Sequence, residues 1–148
     1  FKFQGERYGW GGMFNGRDCS AFIMDIYRSM GIKLPRNSSE QGKLAAGIYH
    51  EFPKTMTLRE RQKIFDKLEP GTGLYMSGHA MLYLGKYKGE YYMIHDFSGF
   101  YTKENNKMVF KNVWEVAVTP LSLLTYTDET YKTYMEALYG VREFILEK

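Results

Sequence analysis

A single cysteine among 148 residues closes no internal disulfide, so no covalent staple braces this fold. Long apolar runs are lacking too: no stretch of roughly 18 apolar residues exists, which excludes a membrane-spanning helix. The N-terminus lacks a charged segment followed by an apolar one, so this chain is expected to carry no signal peptide. Charge of one sign is scarce. Twenty Lys and Arg are interspersed with 17 Asp and Glu, and a net charge of +3 without a basic stripe argues against nucleic acid as a partner. Repeats, low-complexity tracts and linkers are missing, so residues 1–148 are expected to form one domain. Hydrophobic residues make up 44% of the chain, enough at this length to bury a core without disulfides or metal. The chain opens on Phe1 and not on Met, from which we expect a processed or excised piece whose upstream targeting or binding modules are missing.

What is present falls into two halves of different period. After the glycine-rich "YGWGGMFNGRD", the residues Phe22, Ile23, Ile26, Tyr27 and Met30 share one helical face. Asp18 is the expected N-cap and Gly31 the stop, which puts Cys19 in the first turn. Ser38 with Gln41, and Thr57 with Glu60, read as capping boxes of two short helices. From Gly73 the period becomes 2. "GLYMSGHAMLYLGKYKGEYYMIHDF" predicts a hairpin turning through Tyr87, Lys88 and Gly89, with Lys86 opposite Glu90. That register sets Met81 opposite His95 and His79 opposite Phe97, so the two histidines share a face one step apart. "KMVFKNVWEVAVTPLSLL" predicts one or two further strands, and "TDETYKTYMEALYGVREFIL" a closing helix stopping near Gly140. The expected class is α+β, N-terminal helices packed on an antiparallel sheet.

A thiol becomes a nucleophile when deprotonated, and a helix N-terminus beside an imidazolium lowers its pKa. Cys19 is placed for the first influence, and His79 could supply the second, with His95 holding the His79 ring in the tautomer that accepts the thiol proton. On that reading Cys19 is a thiolate at mildly acidic pH. Residue types alone leave alternatives open. A lone cysteine on an amphipathic helix also serves as a small buried hydrophobe, and two strand histidines serve as core residues or metal ligands. For zinc, a fourth ligand is not apparent and the long, irregular gaps match no finger, so no metal is expected. His50, in "GIYHEF", reads as a surface loop residue, and Gly47 to Lys67 as a solvated helix and loop.

Four blocks in order, "YGWGGMFNGRDCSAF", "LPRNSSEQ", "EPGTGLYMSGHAMLYLG" and "YYMIHDF", resemble the NlpC family of bacterial cell-wall cysteine peptidases. The resemblance covers most of Tyr8 to Phe97 and implies a papain-like fold with no cofactor. It implies Cys19 as nucleophile, His79 as general base and His95 as the polar residue orienting it. Tyr8 and the Cys19 backbone N–H would donate to the oxyanion, while Asp18, Ser20 and Ser38 would contact the amine side of the substrate. An Asp18 carboxylate there would pair with a free α-amine and disfavour acylated stems. Ala21 and Met81 stand where many relatives have Gly, and Met81 is expected to bound that pocket. The implied activity is hydrolysis of peptidoglycan stem peptides, at the bond between γ-D-glutamyl and a diamino acid, by a protein exported in a bacterium. A silent wall-binding module and a thiol amidase or acyltransferase are the rival readings.

Overall fold

The computed structural model describes residues 5, 7–9, 17–42 and 47–144; most of the glycine-rich opening lies outside them. Helix α1 (Cys19–Ser29) starts where Asp18 accepts a hydrogen bond from the Ala21 N–H, and it ends at Gly31, whose φ of 80° only glycine adopts freely. Helix α2 (Ser38–Gly42) follows, then strand β1 (Ile48–Glu51) and helix α3 (Leu58–Phe65). Both bonds of the Thr57–Glu60 capping box form at the start of α3. At α2 the expected box does not. Ser38 sits inside the helix, and Gln41 is drawn away by two backbone carbonyls: its amide donates to Ser20 O at 3.0 Å and Pro35 O at 2.8 Å. Gln41 thereby ties α2 to the first turn of α1.

Strands β2 (Gly73–Met76), β3 (His79–Tyr87), β4 (Glu90–Glu104), β5 (Lys107–Pro120), β6 (Leu124–Thr127), β7 (Thr130–Thr133) and β8 (Leu138–Glu143) complete the described elements, with one turn of helix, α4 (Tyr134–Ala137), before β8. They form an antiparallel sheet in the order β1-β8-β2-β3-β4-β6-β7, with β5 also on β4. The β3–β4 turn is tighter than expected. Lys88 and Gly89 both have positive φ, as a two-residue type I′ turn requires, and Tyr87 pairs with Glu90. A bulge at Leu84 then takes up one residue, so Tyr83 meets Met93 and Leu82 meets Ile94. Carried on, that register sets Met81 opposite His95, the expected pairing.

Each face of the sheet has its own core. Phe22, Ile23 and Tyr27 of α1 pack on Tyr75, Ala80, Leu82 and Ile94. Phe65 of α3 and Met135 of α4 join Met81, Tyr83, Met93 and Leu138 on the other. A strand covered on both faces loses its polar alternation, which is why β2 is buried throughout. Met81 is wholly buried in the second core and does not line the cavities described below.

Three further expectations need correction. The closing helix is a single capped turn followed by β8, because β8 fills the slot between β1 and β2 and pairs with both. The Tyr49 ring lies over Gly140, so a side chain there would have to push that exposed tyrosine aside. His50 lies on β1, not in a loop, with Nε2 2.9 Å from a Glu143 carboxylate oxygen. The stretch from Gly47 to Lys67 builds core, since Phe52, Phe65 and Arg61 are buried. Arg61 donates to the carbonyls of Met135 at 2.9 Å, Leu138 at 2.7 Å and Pro53 at 3.1 Å, binding α3 to α4. Replacing Arg61 with leucine orphans these buried acceptors, and a loss of about 3 kcal/mol in urea denaturation is expected. An unchanged midpoint would refute this role.

Candidate active site

The Asp18 cap fixes the direction of α1, and the packing of its apolar face on Ala80 and Leu82 brings Cys19 to the start of β3. Cys19 is 7% exposed. Burial pushes its thiol pKa up, against hydrogen bonding from the backbone N–H groups of Ala80 and Ser20, and the carboxylates of Asp18 and Asp96 push the same way as burial. The Ala80 N–H follows His79 in the chain, so Cys19 meets the backbone at the start of β3, the strand that His79 opens.

A tight turn through Ser77 and Gly78, the latter at φ 72°, delivers His79 as the first residue of β3. Its Nε2 lies 2.8 Å from Nδ1 of His95, whose Nε2 lies 2.8 Å from Oγ1 of Thr119 on β5. The His95 ring is fully buried, stacked on Phe97 at 3.7 Å and met edge-on by Tyr134 at 5.5 Å. Burial lowers the His79 pKa to about 4 and holds His95 well below the usual imidazole value, with the His79 charge adding to the latter. The thiol is up and the imidazole down. Both shifts favour the uncharged forms, which runs against the thiolate expected at mildly acidic pH.

Tyr8 is held beside Cys19 by a parallel bridge to Arg17 and by its N–H, which donates to Trp114 O at 2.9 Å. Trp114 belongs to a bulge in β5 opposite β4, has a φ of 54°, and lays its ring 5.6 Å from that of Tyr8. Burial, then the charges of Cys19 and Asp18, raise the Tyr8 phenol to about 12, so it remains a proton-bearing donor.

Asp18 is not an open carboxylate. Arg36 donates from Nη1 to Oδ1 at 2.9 Å and from Nη2 to Oδ2 at 2.7 Å, and Arg36 Nη1 also reaches the Ser20 hydroxyl at 3.0 Å. Ser20 donates to Asp18 Oδ1 at 3.2 Å. A cavity of about 520 Å³ is lined by Asp18, Cys19, Ser20, Arg36 and Ser38. A second, of about 420 Å³, is lined by His79, Ser98, Tyr101, Tyr126 and Tyr134. Tyr8 and Gly78 line both, so the cavity beside Cys19 adjoins the cavity beside His79. The two cavities together present a thiol at a helix N-terminus, an imidazole and a phenol donor, the groups that acyl transfer uses.

The imidazoles of half-buried His79 and buried His95 also make stability depend on pH. Unfolded histidine binds a proton near pH 6.5, whereas folded His79 binds one only near 4. Between these values the unfolded state holds more protons, so stability is complete above 6.5 and falls as pH drops toward 4. Urea midpoints are expected to decrease from pH 7 to pH 5, with a shallower decrease in a His79→Gln, His95→Gln double variant. Equal slopes would contradict the burial of neutral rings.

The NlpC/P60 family model matches residues 5–132. The chain belongs to the NlpC/P60 family. It is 33% identical over 91 residues to a γ-D-glutamyl-L-lysine dipeptidyl-peptidase of Bacillus subtilis (strain 168), over 57% of this chain and 29% of that protein. An NlpC/P60 endopeptidase from Photobacterium damselae subsp. piscicida superposes with a TM-score of 0.75 at 22% identity, over 95% of this chain and 36% of the other. An NlpC/P60 family protein from Bacillus cereus ATCC 10987 gives a TM-score of 0.57 at 24% identity, over 96% of this chain and 36% of its own. The fold is the papain-like α+β fold of these NlpC/P60 proteins. The chain spans about a third of the length of the relatives it matches.

The expected site residues divide between the two cavities: Tyr8, Asp18, Cys19, Ser20 and Ser38 line the first, Tyr8 and His79 the second, and His95 is hydrogen-bonded to His79. Sequence reasoning did not single out Arg36, Trp114 or Thr119. Arg36 stood in the quoted "LPRNSSEQ", where a charge between Pro and Ser was the available signal. Trp114 and Thr119 belong to an ordinary strand pattern that carried none.

Proposed function

We propose that this chain is the catalytic unit of a cell-wall cysteine endopeptidase that hydrolyses peptidoglycan stem peptides at the γ-D-glutamyl–diamino acid bond. The observation that carries the reading is the His79–His95 hydrogen bond at 2.8 Å, because it uses His79 Nε2 and leaves Nδ1 for the thiol. Cys19 attacks the carbonyl as its proton passes to His79. Tyr8 and the Cys19 N–H donate to the oxyanion, His79 then protonates the leaving amine, and water releases the acyl group from sulfur. The bond assignment leans on the activity named for the Bacillus subtilis relative. An exported protein acting at the wall is the setting this substrate requires.

The Asp18–Arg36 pair changes the expected specificity. Asp18 keeps a bidentate partner whether or not an amine arrives, so an acylated stem leaves no carboxylate stranded. Stems with a free L-alanine and stems still carrying a lactyl group should both be cut. Incubation with defined muropeptides of both kinds, read by mass spectrometry, tests the proposal. Cleavage between γ-D-glutamyl and the diamino acid supports it. Binding without cleavage would favour the silent wall-binding module, and release of some other amide or transfer to an acceptor the amidase or acyltransferase.

A further inference from the structure

We propose that Thr119 is a positioning residue: its hydroxyl accepts the Nε2–H of His95 and so holds His79 in the tautomer able to take a proton from Cys19. This rests on the Cys19–His79 pair proposed above, but its test does not need a peptide substrate. His95 is fully buried between two partners, His79 Nε2 at one nitrogen and Thr119 Oγ1 at the other, each at 2.8 Å. Burial keeps it neutral, so it carries one N–H and one lone pair.

Only two proton arrangements satisfy both contacts. In the first, His79 Nε2–H donates to His95 Nδ1, His95 Nε2–H donates to Thr119 Oγ1, and His79 Nδ1 keeps its lone pair. In the second, the Thr119 O–H donates to His95 Nε2, His95 Nδ1–H donates to His79 Nε2, and His79 Nδ1 bears the proton. The second cannot accept a proton from sulfur. The first can, and it also suits the imidazolium that results, whose Nε2–H still has His95 Nδ1 as acceptor. A buried N–H without a partner costs more than a buried lone pair without one. Removing the hydroxyl therefore pushes His95 to its Nδ1–H form and His79 to the unproductive tautomer.

Thr119 lies on β5 opposite Met93, one step along from Ala117 opposite His95, so its hydroxyl reaches His95 on the diagonal. Valine keeps the shape and strand propensity while deleting the acceptor. Serine keeps the acceptor.

Two measurements test this. In the wild-type protein, long-range ¹H–¹⁵N spectra of the imidazoles near neutral pH are expected to show His79 and His95 both protonated at Nε2; a proton on Nδ1 of either overturns the proposal. In the second, the rate at which Cys19 is alkylated by iodoacetamide is followed against pH. The sulfur displaces iodide from carbon, and the thiol proton goes to His79. Thr119→Val is expected to slow alkylation at least about tenfold near neutral pH and to converge with wild type at alkaline pH, where the thiol ionises unaided. Thr119→Ser is expected to restore the wild-type profile. A valine variant that matches wild type at every pH, or is slowed equally at every pH, overturns the assignment. Failure to cleave muropeptides would defeat the proposed function and leave both of these readings standing.

Discussion

Cys19→Ala is expected to reduce hydrolysis of a defined stem peptide to the uncatalysed background, a loss on the order of 10⁶-fold in kcat. The reaction as proposed runs through a bond to sulfur, and no other described side chain on the cleft offers a thiol: Cys19 is the only cysteine. The Ser20 hydroxyl on the same cavity is already engaged by Asp18 and Arg36. The substitution removes one small buried atom from the first turn of α1 and leaves the Asp18 cap intact, so the variant should fold. Its urea midpoint serves as the control. Hydrolysis by the alanine variant at a rate near wild type, with a chelator abolishing it, would replace the thiol mechanism with a metal one.

The second large effect is at His79. His79→Ala is expected to lower kcat/KM by about 10³- to 10⁴-fold with little change in KM, since the imidazole both takes the thiol proton and returns one to the leaving amine. A thiol that stays protonated at rest makes this loss larger than a preformed thiolate would. With its pKa raised by burial, Cys19 is not ionised near neutral pH without a base. Raising the pH should therefore recover part of the alanine variant's rate, as hydroxide does what His79 no longer does. His95→Gln should cost less, because a glutamine oxygen can still accept from His79 Nε2–H. A His79→Ala loss below tenfold, or one carried wholly by KM, would contradict the assigned role.

Much of the site could be read in the sequence because its signals are local. An Asp before an apolar helical face caps α1 whatever packs on it, and Cys19 follows. The β3–β4 register was legible at its functional end although the turn was not, because a two-residue turn and a bulge at Leu84 sum to the same offset as a three-residue turn. What failed depended on distant partners. The segment after Thr133 has helical spacing and a true capping box, yet becomes β8 because two strands far away in sequence offer it hydrogen bonds on both edges. Gly140 and Val141, poor helix formers, were the quiet contrary signal. Arg36 and Thr119 gained their roles only when the fold carried them to Asp18 and His95. Asp18 illustrates both cases: its capping role was visible, its pairing with Arg36 was not, and under the proposed function that pairing removes the expected discrimination between free and acylated stems.

The central claim is an acyl group carried on Cys19. Mixing the protein with a stem tripeptide, quenching in acid within the first turnovers and measuring intact mass tests it most directly. The account predicts a species heavier by the acyl fragment up to γ-D-glutamate, mapped to the peptide containing Cys19, absent in Cys19→Ala and lost on exposure to hydroxylamine as a thioester would be. Product formation with no adduct on Cys19 under conditions where deacylation is slowed, or an adduct on another residue, would contradict it.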